Sequence, residues 1–128
     1  MKEVLEYLKE AEVFYFATSD GDQPTVRPFG FCIEFEGKLY FGTRETGNTY
    51  RHLSENPKFQ VCAVVANKGW IRITGKAQFD SSPEVLATAI AEYPDLLGGN
   101  TFTPALFFVE DGKAEFYTML NVSRVVKF

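Results

Sequence analysis

Apolar positions along this chain recur at two spacings, and the switches between them divide it into elements. In "MKEVLEYLKE", Met1, Val4, Leu5 and Leu8 fall three or four apart, the stripe of an amphipathic helix flanked by charge. The spacing drops to two in "VFYFAT", a strand ended by "SDGDQP", whose Asp, Gly and Pro are turn residues. A second strand follows over residues 25–35, "TVRPFGFCIEF", and "EGK" then turns the chain into "LYFGT", which predicts an antiparallel meander. In "GNTYRHLSENP" the spacing is helical again, with Tyr50 and Leu53 three apart, Asn48 placed to cap, and Pro57 ending the helix at or before Asn56.

The alternation returns in "KFQVCAVV" and "WIRITGKAQF", two strands joined by a loop around residues 67–69, the second setting Trp70, Arg72 and Thr74 against Ile71 and Ile73. "SPEVLATAIAEYP" has Ser82 before Pro83 and Glu84, the order of an N-cap followed by proline at the first helical position. Leu86, Ala89, Ile90 and Tyr93 share one face, and Pro94 ends the helix. After a polar, Gly-rich loop, "ALFFVE" and "KAEFYTML" predict a hairpin across Asp111 and Gly112, with "SRVVKF" a last short strand. Six or seven strands with three short helices in a single domain over residues 1–128 favour a mainly β fold, a closed or partly closed antiparallel barrel, since closure removes edges.

Composition narrows the function. Thirteen Phe and six Tyr in 128 residues suit pleated surfaces and aromatic-lined cavities. A formal charge of −4, with Lys and Arg in no block, gives no footprint for nucleic acid. No segment is long and apolar enough to span a bilayer as a helix, and the first helix lacks the form of a secretory leader, so a cytoplasmic location is expected, with no membrane partner. Cys32 and Cys62, thirty residues apart in apolar runs, are expected to be buried, reduced thiols in strand interiors rather than metal ligands or a disulfide.

No familiar catalytic motif is present, no catalytic residue is assigned, and no metal is expected. The one histidine, His52, is expected on a solvated helix face. What remains is a set of anion-friendly parts. Arg27 falls in line with Phe29, Phe31, Ile33 and Phe35, so a guanidinium is aimed towards apolar territory and must be paired, reach water along its stem, or meet an external anion. Asp20 and Asp22 are candidate partners for the first of these. Thr43 ends the next strand, and "GNTYR" opens a helix whose first amides are unpaired at the positive end of the dipole. Gly30 admits a flat ring against the strand backbone or marks a bulge, and Pro28 perturbs the ladder beside it. By spacing alone Trp70 and Tyr50 are core residues as readily as cofactor walls, and Arg72 is a solvent-facing or salt-bridged strand residue.

The succession "FATSDGDQPTVRPFGFCIEFEGKLYFGT", "YRHLSENPKFQV" and "WIRITGKAQF" resembles the pyridoxamine 5′-phosphate oxidase-like FMN-binding split barrels, especially the short members related to nitroimidazole-resistance proteins. The likeness runs from about residue 12 to 80. It implies a split β-barrel with short peripheral helices and a homodimer holding two FMN molecules between its subunits. Arg27 matches the arginine that holds the flavin phosphate. Pro28, Phe29 and Gly30 match the strand beneath the isoalloxazine ring, Gly42 and Thr43 the strand end that touches the cofactor, and Asn48 and Thr49 the phosphate-contacting pair. Trp70 falls where the family places a residue near the ring, Tyr50 is a second candidate wall, and Tyr117 and Asn121 are placed to reach the partner's flavin.

Compared with the vitamin-pathway oxidase, Thr49 and Cys32 stand where basic residues are expected, so phosphate binding leans on Arg27, the helix amides and Arg51. The chain also lacks the Arg-x-His substrate motif, which argues against production of pyridoxal phosphate. The resemblance therefore implies an FMN-dependent oxidoreductase acting on a small molecule or a reduced nicotinamide. The alternative is a non-enzymatic carrier of flavin or haem.

Overall fold

The computed structural model describes residues 1–97 and 103–128. In chain order the elements are α1 (Lys2–Ala11), β1 (Phe14–Asp20), β2 (Gln23–Phe29), β3 (Ile33–Phe35), β4 (Lys38–Arg44), α2 (Asn48–Glu55), β5 (Lys58–Val65), β6 (Gly69–Phe79), α3 (Pro83–Glu92), α4 (Pro94–Leu97), β7 (Pro104–Thr118) and β8 (Asn121–Lys127). The expected Gly-rich loop falls largely on residues outside the described ones.

Every strand pairing is antiparallel, in the order β2-β1-β5-β6-β7-β4-β3 with β8 added to β7. The sheet is not closed: its two ends, β2 and β3, are consecutive in the chain and meet at a seam spanned by residues 30–32. The expected single strand over 25–35 is thus two. Phe29 is the last residue paired to β1, opposite Phe14, and Ile33 is the first paired to β4, opposite Tyr40. Pro24 and Pro28 fit β2 because an edge strand leaves one side of its ladder unused. The inward parity of alternate residues survives the break but serves two cores. Phe29 packs against the main cluster, with its ring 4.8 Å from Phe16, whereas Phe31 and Ile33 belong to a second cluster with Tyr40, Val85, Ala89 and Leu106.

The expected hairpin at Asp111 and Gly112 is instead the middle of one 15-residue strand, β7. Asp111 has φ 54°, and the register against β6 slips between Thr74 and Lys76. Asp and Gly favour the left-handed backbone that both a turn and a bulge require, and here they make the bulge. The slip also divides the other edge of β7, whose residues from Pro104 to Phe108 pair with β4 and from Lys113 to Thr118 with β8. The hairpin lies further on, at Met119, whose φ is 60°.

Phe14, Phe16, Phe41, Phe59 and Phe107 fill the barrel, α1 covers one end with Val4 and Leu8, and α3 closes the second cluster with Val85 and Ala89. Ser82 and Pro83 start α3 as expected, but Ile90 faces solvent and Val85 takes the buried place. Cys32 is buried just before β3, where loss of solvation pushes its thiol up to about 12. Cys62 is exposed, contrary to expectation, because Phe59, Val61, Ala63 and Val65 take the inward positions of β5. Both thiols are free. No helix among the described residues is long and apolar enough to cross a membrane.

Candidate functional site

Beside the β1–β2 hairpin, a cleft of about 400 Å³ opens between the end of β1, strand β2, the end of β4 and the first turn of α2. Asp20, Thr25, Val26, Arg27, Thr43 and Arg44 line it from the strands, and Gly47, Asn48, Thr49 and His52 from the helix. Four expected site residues, Arg27, Thr43, Asn48 and Thr49, therefore converge. Gly47, not Asn48, is the N-cap; the helix start has no side-chain cap and no acidic residue in its first turn. Its leading amides and the positive end of its dipole are left to face the cleft.

Arg27 is held by neutral acceptors. Its Nη1 donates to the Phe16 carbonyl at 3.1 Å, to Thr18 Oγ1 at 2.8 Å and to the Thr25 carbonyl at 3.4 Å, while Nη2 lies 3.3 Å from His52 Nδ1. No ion pair to a carboxylate is formed by Arg27 among the described residues. Asp20, one of the two candidate partners, is pinned elsewhere: Arg51 Nη1 donates to it at 3.3 Å and holds its carboxyl below the usual range. Burial lowers the Arg27 pKa from its ordinary value without approaching neutrality, so a cation remains in place with no counter-charge in contact.

His52 is the residue that sequence reasoning misplaced. It is 2% exposed rather than solvated, at the floor of the cleft, 2.8 Å from Thr18 Oγ1. Two signals mark it: Thr49, His52 and Leu53 form the buried stripe of α2, and Thr18 continues the inward parity of Phe14 and Phe16. A polar group on each of two apolar faces announces a buried polar contact.

The other expected residues lie elsewhere. Arg51 lies outside the cleft and pairs with Asp20 and Glu55. Tyr50 turns away to Phe79, 4.8 Å between ring centres. Pro28 is exposed at the β2 edge, and Phe29 points into the core. Gly30 is exposed at the seam, with room for a side chain. A side chain at Gly42 would press on Leu106 and Phe31, so that glycine serves packing. Trp70 stacks on Tyr117 across the outer face, with centroids 3.9 Å apart, and Arg72 donates to the Tyr117 hydroxyl at 3.1 Å and forms no ion pair among the described residues. Asn121 is exposed at the start of β8. Trp70 and Tyr117 line a wider groove of about 520 Å³ against α1, where Glu10 is paired with Lys68 at 2.6 Å and Glu3 with Arg124 at 2.9 Å, beside Glu6. The smaller cleft is the one that sets a cation beside a helix start.

The family described as pyridoxamine 5′-phosphate oxidase matches residues 1–118. No curated protein matches the chain. Among solved structures, a NimC/NimA family protein from Clostridium acetobutylicum is 33% identical with a TM-score of 0.92, covering 100% of this chain and 92% of that one. General Stress Protein 26 from Bacillus anthracis str. Sterne shares the fold at 12% identity, with a TM-score of 0.73 and coverage of 99% and 97%. A pyridoxamine 5′-phosphate oxidase-related, FMN-binding protein from Nostoc punctiforme PCC 73102 does so at 14% identity, with a TM-score of 0.64 and coverage of 90% and 83%.

Proposed function

Because the chain belongs to the pyridoxamine 5′-phosphate oxidase family, we propose that its cleft holds the phosphate of FMN and that it is an FMN-dependent oxidoreductase acting on a small molecule or a reduced nicotinamide. The observation that carries this reading is Arg27, a half-buried cation oriented by neutral acceptors beside an uncapped helix start. A phosphate dianion answers both features, taking charge-assisted hydrogen bonds from the guanidinium and from the first amides of α2. Thr43 and Asn48 add neutral donors, and Arg44 supplies a second cation at the cleft rim where the family's lysine is replaced by Thr49. The name of the Nostoc relative, an FMN-binding protein, supports the choice of cofactor. When bound, FMN supplies the electron and hydride transfer, so the chain's own task is binding, orientation and exclusion of water.

The cleft accounts for one end of such a cofactor. Trp70 and Tyr117 lie on the outer face of the sheet, where Tyr15, Val26, Val64 and Val122 are also exposed. A homodimer formed over this face would cover that apolar band and set aromatic side chains of one protomer beside the site of the other. Carriage of haem is less well supported. Both His52 nitrogens are engaged within the protein, Nδ1 by Thr18 and Arg27 and Nε2 near Arg51 and Asp20.

Mass spectrometry of the small molecule that co-purifies tests the reading, together with the visible spectrum. FMN, with flavin bands that bleach on addition of a reduced nicotinamide, is the expected result. A Soret band, or a colourless protein that takes up no FMN, would overturn it.

A further inference from the structure

Nothing in a flavin's chemistry calls for a histidine beneath its phosphate, yet His52 is sealed there. We propose that His52 is a positioning residue for Arg27: with Thr18 it fixes the guanidinium towards the cleft without neutralising it, and so sets the preference for a phosphate-bearing ligand. This rests on the phosphate reading above.

The guanidinium sets the direction of the bonds at its own end of the chain. Arg27 can only donate, so Thr18 Oγ1 accepts from Nη1 at 2.8 Å, and its own hydroxyl proton is free for His52 Nδ1, also 2.8 Å away. Arg27 Nη2, 3.3 Å from Nδ1, makes that nitrogen an acceptor and puts the ring proton on Nε2, which then points towards Asp20 Oδ2 at 3.6 Å although Arg51 Nη2, itself only a donor, lies closer at 3.3 Å. The imidazole thus stands between the guanidinium and the nearest carboxylate. A carboxylate in its place would hold Arg27 equally well but would cancel the charge the anion needs. A neutral imidazole holds the direction and leaves the charge. Burial of His52 and Thr18, at 2% and 4% exposure, keeps water from competing for these bonds.

The test compares His52→Leu, His52→Asn and Thr18→Val in apoprotein titrated with FMN and with riboflavin. His52→Leu should weaken FMN about tenfold while moving riboflavin less than about twofold. His52→Asn, whose amide oxygen can take both bonds at Nδ1, should recover most of the loss. Thr18→Val preserves shape, should reproduce the loss, and carries the same comparison if the leucine variant does not fold. In an Arg27→Ala background His52→Leu should have no further effect on FMN, because the residue acts through the arginine. Equal losses for both ligands, or an effect additive with Arg27→Ala, would overturn the assignment. A readout without ligand separates this from the cofactor reading. In arginine-labelled apoprotein, NMR should show slow rotation of the Arg27 guanidinium in the wild type and fast rotation in His52→Leu, whether or not FMN proves to be the ligand. Fast rotation in the wild type refutes the positioning role alone, and failure of the wild type to bind FMN refutes the cofactor reading alone.

Discussion

Removal of the Arg27 side chain separates an anion site from an arginine that merely needs somewhere to rest. Arg27→Ala deletes a half-buried cation that has no carboxylate in contact among the described residues, and leaves Arg44 at the rim as the cleft's remaining cation. At an effective dielectric of about 20, one unit charge facing another at about 4 Å interacts by about 4 kcal/mol. After desolvation, truncating one member of such a hydrogen-bonded pair costs about 2–4 kcal/mol. FMN affinity should therefore fall roughly thirty- to a thousandfold. Riboflavin has no phosphate and should lose less than about twofold. The apoprotein gives up hydrogen bonds at 3.1 and 2.8 Å but is also freed of a desolvated charge. Its stability should change by no more than about 1–2 kcal/mol. Quenching of flavin fluorescence on titration of apoprotein, in buffer free of phosphate, measures both ligands on one preparation. Parallel losses for FMN and riboflavin, or none for FMN, would refute the reasoning.

Three further outcomes are expected. Val64→Glu, at an outer-face position 65% exposed, should shift sedimentation from dimer to monomer without unfolding the chain; an unchanged dimer places the interface elsewhere. Gly69→Ala should destabilise by at least about 2 kcal/mol in urea titration, since φ is 111° and the added methyl would run into the Tyr117 carbonyl, and a change under about 0.5 kcal/mol would contradict the β6–β7 register. The Cys32 thiol, raised from 9.0 to about 12 by burial, makes stability fall as pH rises through 9 and level off near 12, because the unfolded chain gives up that proton first. The stability difference between wild type and Cys32→Ala should narrow by on the order of 1 kcal/mol between pH 8 and 10, and a difference independent of pH would refute the burial of that thiol.

Strand parity was the most legible feature of the sequence. It set Arg27 on the inward face of β2, and the same count places Cys62 outward on β5, where a general preference of cysteine for the interior had suggested otherwise. Local chemistry was less decisive wherever one conformation serves two structures. The left-handed Asp111 makes a bulge in one long strand with the residue types that would equally make a hairpin, and only the partner strand, far away in sequence, decides. The break between β2 and β3 was hidden for a related reason. Inward parity continues through it, from one apolar cluster to the next, so the pattern holds no mark of the seam. In the site, the cation, the hydroxyl of Thr43 and the helix start were visible as separate parts. His52 was not, because a lone histidine on a short helix next to Arg51 and Glu55 resembles a solvated face until Thr18 is seen opposite it.

The division of β7 between two neighbours bears on the order in which the molecule can assemble. β4 carries Thr43 and Arg44 to the cleft, yet apart from the three-residue β3 its ladder partner is the segment from Pro104 to Phe108, made some sixty residues later. The β1–β2 hairpin and α2 can gather early through neighbouring contacts, whereas the β4 wall must wait for the loop-closure entropy of that long connection to be met. During synthesis the chain therefore passes through an interval in which the arginine is present, the far wall is loose, and the edges of β4 and β6 that will receive β7 are bare. Such an interval exposes strand edges to other chains and favours slow, chaperone-sensitive folding. A ligand that bridges Arg27 and the end of β4 would act on that last step, speeding the maturation of the barrel as well as occupying it.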